Sequence, residues 1–563
     1  MRRCAVSARW AAAFLGLGFA ATLALAQPPA QAALRQVVAE AGSSGFGESA
    51  SPAEREGLAK LYDDGGRLLW SDGVRPTPAA QALVGELQRA AARGLDPEDY
   101  AGERLATMLA RLADASPAAE DQWAIFDVTL SLAGMRLMSD LHYGRIDPAS
   151  VGHNLSVERV KLDIPATLAR LAGSGDASGS LDSLEPQFTH YRLLEQQLAH
   201  YRELAADPRL TVLPPLTAKS LKPGDAYAGA PLLERLLTAL GDDTLAPQAA
   251  ANAAAPATLT PSLDDALKRF QSRHGEKADG VLGAATMTEL TRPLTERVRQ
   301  IELTMERWRW LPAEWASAPI IVNIPQFRLF AFESTADSEA RIRQMDVIVG
   351  KAFEGKETPV FAADMTYLIF RPYWEVPYSI ALKEVVPAAR ANPDSLEKHR
   401  MELVRGAGDG ATVMPNTREN VELLAKGILR VRQKPGPDNS LGLVKFMFPN
   451  PYNVYLHSTP ARALFGESRR DFSHGCVRVS DPVGLAQYVL RDSPEWTRER
   501  IQDAMNGEST LTVKLNSPIR VFMVYGTALA LEDGRMLFFD DIYGHDRRLE
   551  AALSSRRAAK PSG

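Results

Sequence analysis

The sequence predicts a multidomain α+β chain: an N-terminal helical scaffold, a small three-helix module, then a mostly-β domain interrupted by a helical insertion. Three observations predict it. The length, 563 residues, is enough for several separate cores. Apolar periodicity is helical over roughly the first half. From about residue 319 it changes to the alternation of half-buried strands.

The chain opens on Arg2, Arg3 and Arg9, followed by an uncharged, mostly apolar run from Trp10 to Ala26. The run closes on Ala24-Leu25-Ala26, small residues where a signal peptidase reads. Residues 1–26 are therefore expected to be an export signal, with an uncleaved membrane anchor as the alternative. Either reading places the body of the protein outside the cytoplasm. No other apolar run reaches the roughly 18 residues of a spanning helix.

Residues 27–220 form the expected scaffold. The stretch 27–50 is rich in Ala, Gly and Ser and is expected to be poorly ordered. Pro78–Arg93 places Leu83, Leu87 and Ala90 on one face, with Gly94 fitting the C-terminal cap. Trp123–His142 and Gln187–Leu204 are further helices. This half shows no clustered nucleophile, base or metal-ligand spacing.

Residues 221–293 read as a separate module. A short apolar helix at Leu232–Leu240 precedes an Ala/Pro stretch, Ala246–Pro256, expected to be a flexible insertion. Ser262–His274 carries Leu263, Ala266, Leu267 and Phe270 at helical spacing. Asp279-Gly280-Val281-Leu282-Gly283 makes a tight turn, and Thr286–Leu290 starts another helix.

In residues 294–545, strand-like stretches run Ile320–Phe332, Met345–Val349, Tyr367–Phe370, Val444–Phe448, Val454–His457, Leu511–Leu515 and Val521–Tyr525. Glu532-Asp533-Gly534-Arg535 is a hairpin turn into Met536–Phe539. A polar, helix-rich insertion spans about 376–442; insertions of that length often cover a site. Residues 546–563 are left as a tail.

Charge and cysteine usage narrow the function. A net charge of −5, with no basic stripe interleaved with aromatics, argues against nucleic acid. There are two cysteines, and Cys4 would leave with the signal. Cys476 would then stand alone in an oxidising compartment, so it is either buried and inert or kept for reactivity. Its neighbours favour reactivity. They are Tyr455-Leu456-His457-Ser458 and Phe472-Ser473-His474-Gly475-Cys476-Val477-Arg478. A cysteine attacks as thiolate and needs a base or a lowered pKa. Two histidines precede it within twenty residues. Gly475 lets the backbone approach a bound carbonyl, and the N–H groups of Gly475 and Cys476 are candidates for holding an oxyanion. Arg478 favours a thiolate and an acidic substrate. One Cys with two His lacks the paired spacing of structural zinc, so no metal and no cofactor is expected.

The segment from His457 through Ser-His-Gly-Cys-Val-Arg resembles the signature of YkuD-like L,D-transpeptidases. The likeness extends to Met305–Pro312, Val322–Pro325, Arg371–Pro377, Lys434–Asn439 and Val444–Asn450. The 262–283 segment resembles a peptidoglycan-binding module. With the helical half, the chain looks like the large YcbB-like members of Gram-negative bacteria. The resemblance implies a periplasmic enzyme of cell-wall biogenesis that acts on peptidoglycan stem peptides. Its thiolate attacks the meso-diaminopimelate carbonyl of a tetrapeptide stem and expels D-alanine. An acceptor amine then resolves the thioester into a 3-3 cross-link. It implies His457 as general base, Ser458 orienting the imidazole through its carbonyl, the insertion as a lid, and carbapenems as inhibitors. Other cell-wall synthases are candidate partners. Nearness in sequence favours His474 as base, and the resemblance favours His457. Tyr455, Arg432 and Asn439 are candidate substrate contacts. Hydrolysis, D-amino-acid exchange at the same thioester, attachment of stems to an outer-membrane protein, and a non-catalytic wall-binding role are the alternatives.

Overall fold

The structure, a computed structural model, describes residues 29–41, 50–63, 67–114, 120–155, 160–210, 213–242, 258–335, 342–353, 355–392 and 394–558. The expected export signal, Cys4 and the Ala/Pro stretch lie outside them. Among the described residues no helix is long and apolar enough to cross a membrane.

The scaffold packs around the helix Glu120–Tyr143. Trp123, Phe126, Leu130, Leu137 and Leu141 are all buried, so the helix is enclosed on several faces. Asp127, in its middle, is fully buried and accepts hydrogen bonds from Leu69 N, Trp70 N and the Tyr62 hydroxyl. It thereby ties a loop to the core helix. The reading of 27–50 needs correction in part. Pro29–Glu40 is a helix whose Leu34 and Val37 are buried, because they lie three residues apart and share one apolar stripe.

The module is built from helices Ala230–Ala239, Pro261–Arg273 and Ala284–Leu290. Its tight turn is held largely by the Gln271 side chain, with Asp279 accepting from Val281 N. Gln271 donates to the Val281 carbonyl and the Thr286 hydroxyl and accepts from Gly280 N. Gly280 sits at φ +71°, and a Cβ there would lie 1.7 Å from an Asp264 carboxylate oxygen, so only glycine fits.

The C-terminal domain is built on a ten-stranded sheet, eight strands of which close into a barrel. They are β1 Ile320–Asn323, β2 Arg328–Phe332, β3 Ile342–Gly350, β4 Val360–Phe370, β5 Val444–Met447, β6 Leu456–His457, β7 Val477–Val479 and β8 Leu511–Val524. The hydrogen-bonded order is β4-β5-β6-β7-β3-β2-β1-β8, and β8 returns to β4. Closure leaves the barrel path without a free edge. Two sequence expectations merge here: Leu511–Leu515 and Val521–Tyr525 belong to one bent strand. Its register against β4 shifts between Lys514 and Ile519, where Pro518 cannot donate to the ladder.

The insertion is less helical than its composition indicates. It contains a four-stranded sheet, ordered Thr412–Met414, Met401–Arg405, Arg430–Gln433, Trp374–Glu375, beneath short helices. It has its own core of Val385, Val386, Leu396, Leu403, Leu424 and Val431.

The Met305–Pro312 motif joins scaffold to barrel. Glu306 is fully buried and accepts from Arg145 N and Nε, while Arg309 donates to the Tyr191 hydroxyl and the Arg93 carbonyl. Trp308 and Trp310 are core residues. The expected tail is instead a docked helix, His545–Ala558. Leu549 is buried, and Arg556 and Arg557 pair with Asp140 and Asp96 of the scaffold. Its charge-rich sequence hides this, because the pairing carboxylates are more than 400 positions away.

Candidate active site

Cys476 immediately precedes the short strand β7, which lies between β6 and β3. Side chains alternate along a strand. Val477 and Val479 point into the buried barrel core, which puts Cys476 and Arg478 on the other face. The ladder then determines their neighbours. His457 pairs with Arg478 across the parallel β6–β7 junction, and Lys445 of β5 pairs with His457. Tyr455, two residues before His457, joins the same face. Lys445 Nζ lies 4.0 Å from the centre of the Tyr455 ring, and that ring meets the His457 ring edge-on at 5.8 Å. One face of three adjacent strands thus gathers Lys445, Tyr455, His457, Cys476 and Arg478.

The loop before Cys476 is fastened from several directions. Gly475 adopts φ +115°, a conformation that favours glycine. The fully buried Thr358 accepts from Gly350 N at 2.9 Å and donates its hydroxyl proton to the Gly475 carbonyl at 2.8 Å. The Ser473 hydroxyl donates to the Cys476 carbonyl and accepts from Gly475 N at 3.1 Å. The expectation of a free Gly475 N–H for an oxyanion is therefore corrected: a neighbouring hydroxyl already holds that donor. Cys476 is half-buried, and its Sγ donates to the Asn453 carbonyl at 3.7 Å. Asn453 itself sits at φ +55°, in a turn pinned by the Asn450 side chain through Val454 and Tyr452.

His457 is 4 % exposed. Its Nδ1 meets the Ser458 carbonyl at 2.5 Å. A carbonyl only accepts, so Nδ1 carries the proton and Nε2 keeps its lone pair. Burial, and then the Arg478 charge, lower its pKa to about 3. The imidazole is neutral at neutral pH, with its Nε2 unprotonated. Burial raises the Cys476 pKa, opposed by hydrogen bonds from Tyr455 and by the charges of Lys445 and Arg478. The resting pair is accordingly neutral thiol and neutral imidazole.

His474 is placed differently. Its Nε2 donates to Glu384 Oε1 at 3.0 Å. Glu384 belongs to Ala381–Val385, a π-helical turn of the insertion, an arrangement that is rare and concentrated at functional places. This bond links the nucleophile loop to the insertion. Arg432 and Asn439 are corrected as substrate contacts. Arg432 is buried in the insertion's sheet, bonded to Glu402 and the Gly408 carbonyl and lying over the Tyr373 ring. Asn439 is 1 % exposed, and its amide donates to the carbonyls of Pro372, Gln433 and Lys434. Its Oδ1 accepts from Leu441 N. Both look free in sequence because their partners are backbone groups or acids on another strand. Lys445 and Thr358 were missed. Lys445 was identifiable as the polar residue of an otherwise apolar strand beside the histidine segment. Thr358 carried no signal. Among the described residues no cluster suited to a metal ion occurs.

Three family models match this chain in order. Residues 56–198 match a "Scaffold domain", 230–290 a "Putative peptidoglycan binding domain", and 318–502 an "L,D-transpeptidase catalytic domain" of the YkuD type. A scaffold domain, a peptidoglycan-binding domain and a YkuD-type catalytic domain thus follow one another along the chain. A Haemophilus influenzae protein described as "Putative L,D-transpeptidase" is 32% identical over 233 residues. That alignment spans 41% of this chain and 45% of the relative, so the chain covers under half the length of the curated relative it matches. The catalytic-domain match contains Cys476, His457, Lys445 and the whole insertion, so the gathered face lies inside the YkuD domain.

Proposed function

We propose that this chain is a peptidoglycan L,D-transpeptidase acting in the periplasm, with Cys476 as nucleophile and His457 as general base. The observation that carries the reading is the His457–Cys476 arrangement on adjacent strands. A buried, neutral imidazole with its Nδ1 proton committed to the Ser458 carbonyl faces the same side as the lone thiol. The YkuD-type catalytic domain and the peptidoglycan-binding module support the substrate class.

The chemistry follows from the neutral resting pair. His457 Nε2 takes the thiol proton as sulfur attacks the diaminopimelate carbonyl of a tetrapeptide stem. The C–S bond forms, and the tetrahedral oxyanion collapses with cleavage of the amide C–N bond. The imidazolium proton leaves with the D-alanine amine. The acceptor's side-chain amine then attacks the thioester, its proton passing to the returning thiol through His457. A new amide C–N bond replaces the C–S bond. The positive charges of Arg478 and Lys445 offset the negative charge that moves between sulfur and oxygen. The insertion, bonded to the nucleophile loop through Glu384 and His474, is the lid over this site.

The test is incubation of the mature protein with purified tetrapeptide muropeptides, read by mass spectrometry beside a Cys476→Ala control. Dimers one D-alanine short of two tetrapeptides, absent from the control, are expected. Trimmed or exchanged monomers alone would replace transpeptidation by hydrolysis or exchange. Product from the control would refute the nucleophile.

A further inference from the structure

We propose that Lys445 is a positioning residue for the nucleophile: its ammonium is the fixed counter-charge against which Cys476 ionises. The inference deepens the reading of Cys476 as nucleophile and rests on it.

The geometry carries it. Lys445 is the cross-strand partner of His457, and His457 in turn is the partner of Arg478, two residues beyond the thiol and on its side of the strand. Its neighbours along β5, Val444 and Phe446, are buried in the barrel core, so its side chain rises on the thiol's face. The ammonium is seated 4.0 Å from the centre of the Tyr455 ring. That ring's negative face holds the cation without neutralising it. Lys445 makes no ion pair among the described residues, although the same chain pairs most of its other buried cations with carboxylates. Half-burying an ammonium outside an ion pair costs stability, and such a cost is commonly retained where a charge appears during function.

The surrounding charges leave the thiol as its natural partner. Arg478 comes from β7. His457 comes from β6 and Tyr455 from the residue just before that strand, Tyr455 a hydroxyl donor and His457 neutral. From the insertion, Glu375 is the acid whose charge reaches Lys445. His474 is occupied by Glu384, and Lys351 and Lys356 act on His474. When His457 takes the proton from Sγ, the new negative charge is therefore met by Lys445 together with Arg478. The Lys445 ammonium over the Tyr455 ring also steadies the phenol whose hydroxyl bonds the sulfur.

The experiment is the pH dependence of Cys476 alkylation by iodoacetamide in the full chain, resolved to the Cys476 peptide by mass spectrometry. Wild type is compared with Lys445→Met, Lys445→Gln and Lys445→Arg. Removing the charge is expected to move the thiol's apparent pKa up by about one unit, so alkylation near neutral pH slows about tenfold. The rate at high pH, where all of the thiol is ionised, is expected to stay unchanged. Lys445→Arg is expected to follow the wild-type profile. A residue that merely packs would change stability or the high-pH rate and leave the midpoint where it was. Superimposable midpoints in wild type and either neutral variant would overturn the proposal while leaving Cys476 as nucleophile. A wild-type Cys476 that is not alkylated at any pH would instead overturn the nucleophile reading itself. The Gln variant keeps a polar head on the ring and stands in if the Met variant does not fold.

Discussion

Thr358→Val tests whether the nucleophile loop is held from behind. Valine has nearly the shape of threonine, so the change removes one hydroxyl and leaves the packing. That hydroxyl accepts from Gly350 N and donates to the Gly475 carbonyl, and Thr358 is fully buried. Two backbone groups lose a partner where no part of Thr358 is exposed to water. At about 1–3 kcal/mol for each orphaned group, the cost is about 2–6 kcal/mol. For a domain of this size that lowers the unfolding midpoint by roughly 4–24 °C. The chemistry suffers separately, because Gly475 precedes Cys476 and a displacement of about 1 Å costs roughly a hundredfold in rate. The assays are thermal unfolding and the rate of Cys476 acylation by a carbapenem, followed by intact mass. Thr358→Ser keeps the hydroxyl and should recover most of both. A valine variant that melts within about a degree of wild type and acylates at the same rate would refute the bridge.

Three further outcomes follow from the same geometry. His457→Ala is expected to abolish acylation, whereas His474→Ala retains most of it, since His474 is committed to Glu384; the reverse result in carbapenem adduct formation would exchange their roles. Gly442→Ala is expected to cut turnover sharply, because Gly442 sits at φ +62° and a Cβ there would lie 2.5 Å from the Ser458 hydroxyl, beside the carbonyl that orients His457; wild-type kcat/KM in that variant would show that the loop yields without moving the imidazole. Stability is expected to fall steeply in acid. His153, His457 and His545 are buried neutral, with pKa values lowered by burial to about 2, 3 and 3, so the unfolded chain takes up protons that the fold refuses. Their contribution is complete above about pH 6.5 and is lost as pH falls toward 3, at about 1.4 kcal/mol per histidine per pH unit. Asp127 and Glu195, raised by burial to about 6 and 7, offset part of this by the opposite sign. An unfolding midpoint flat between pH 6.5 and 4.5 would sink the argument.

The sequence by itself determined the order of domains, the helical and alternating periodicities, and the lone thiol within its Ser-His-Gly-Cys-Val-Arg setting. Those are properties of neighbours along the chain. Periodicity reports which face is apolar, and the need for a particular backbone conformation shows in glycines such as Gly280 and Gly475. The tertiary structure decided what depends on distant partners. It gave His474 to Glu384, ninety positions away, and His457 to the thiol's face through a parallel pairing that no local pattern encodes. It turned Arg432 and Asn439 inward, because the insertion buries a sheet whose strands are separated in sequence. It docked the helix His545–Ala558 through arginines that look like solvent-facing charge until Asp96 and Asp140 are brought to them. Closing the barrel brought Lys445 beside His457 and Thr358 behind Gly475, because a strand's partners follow from the sheet order and register, which only the folded chain defines.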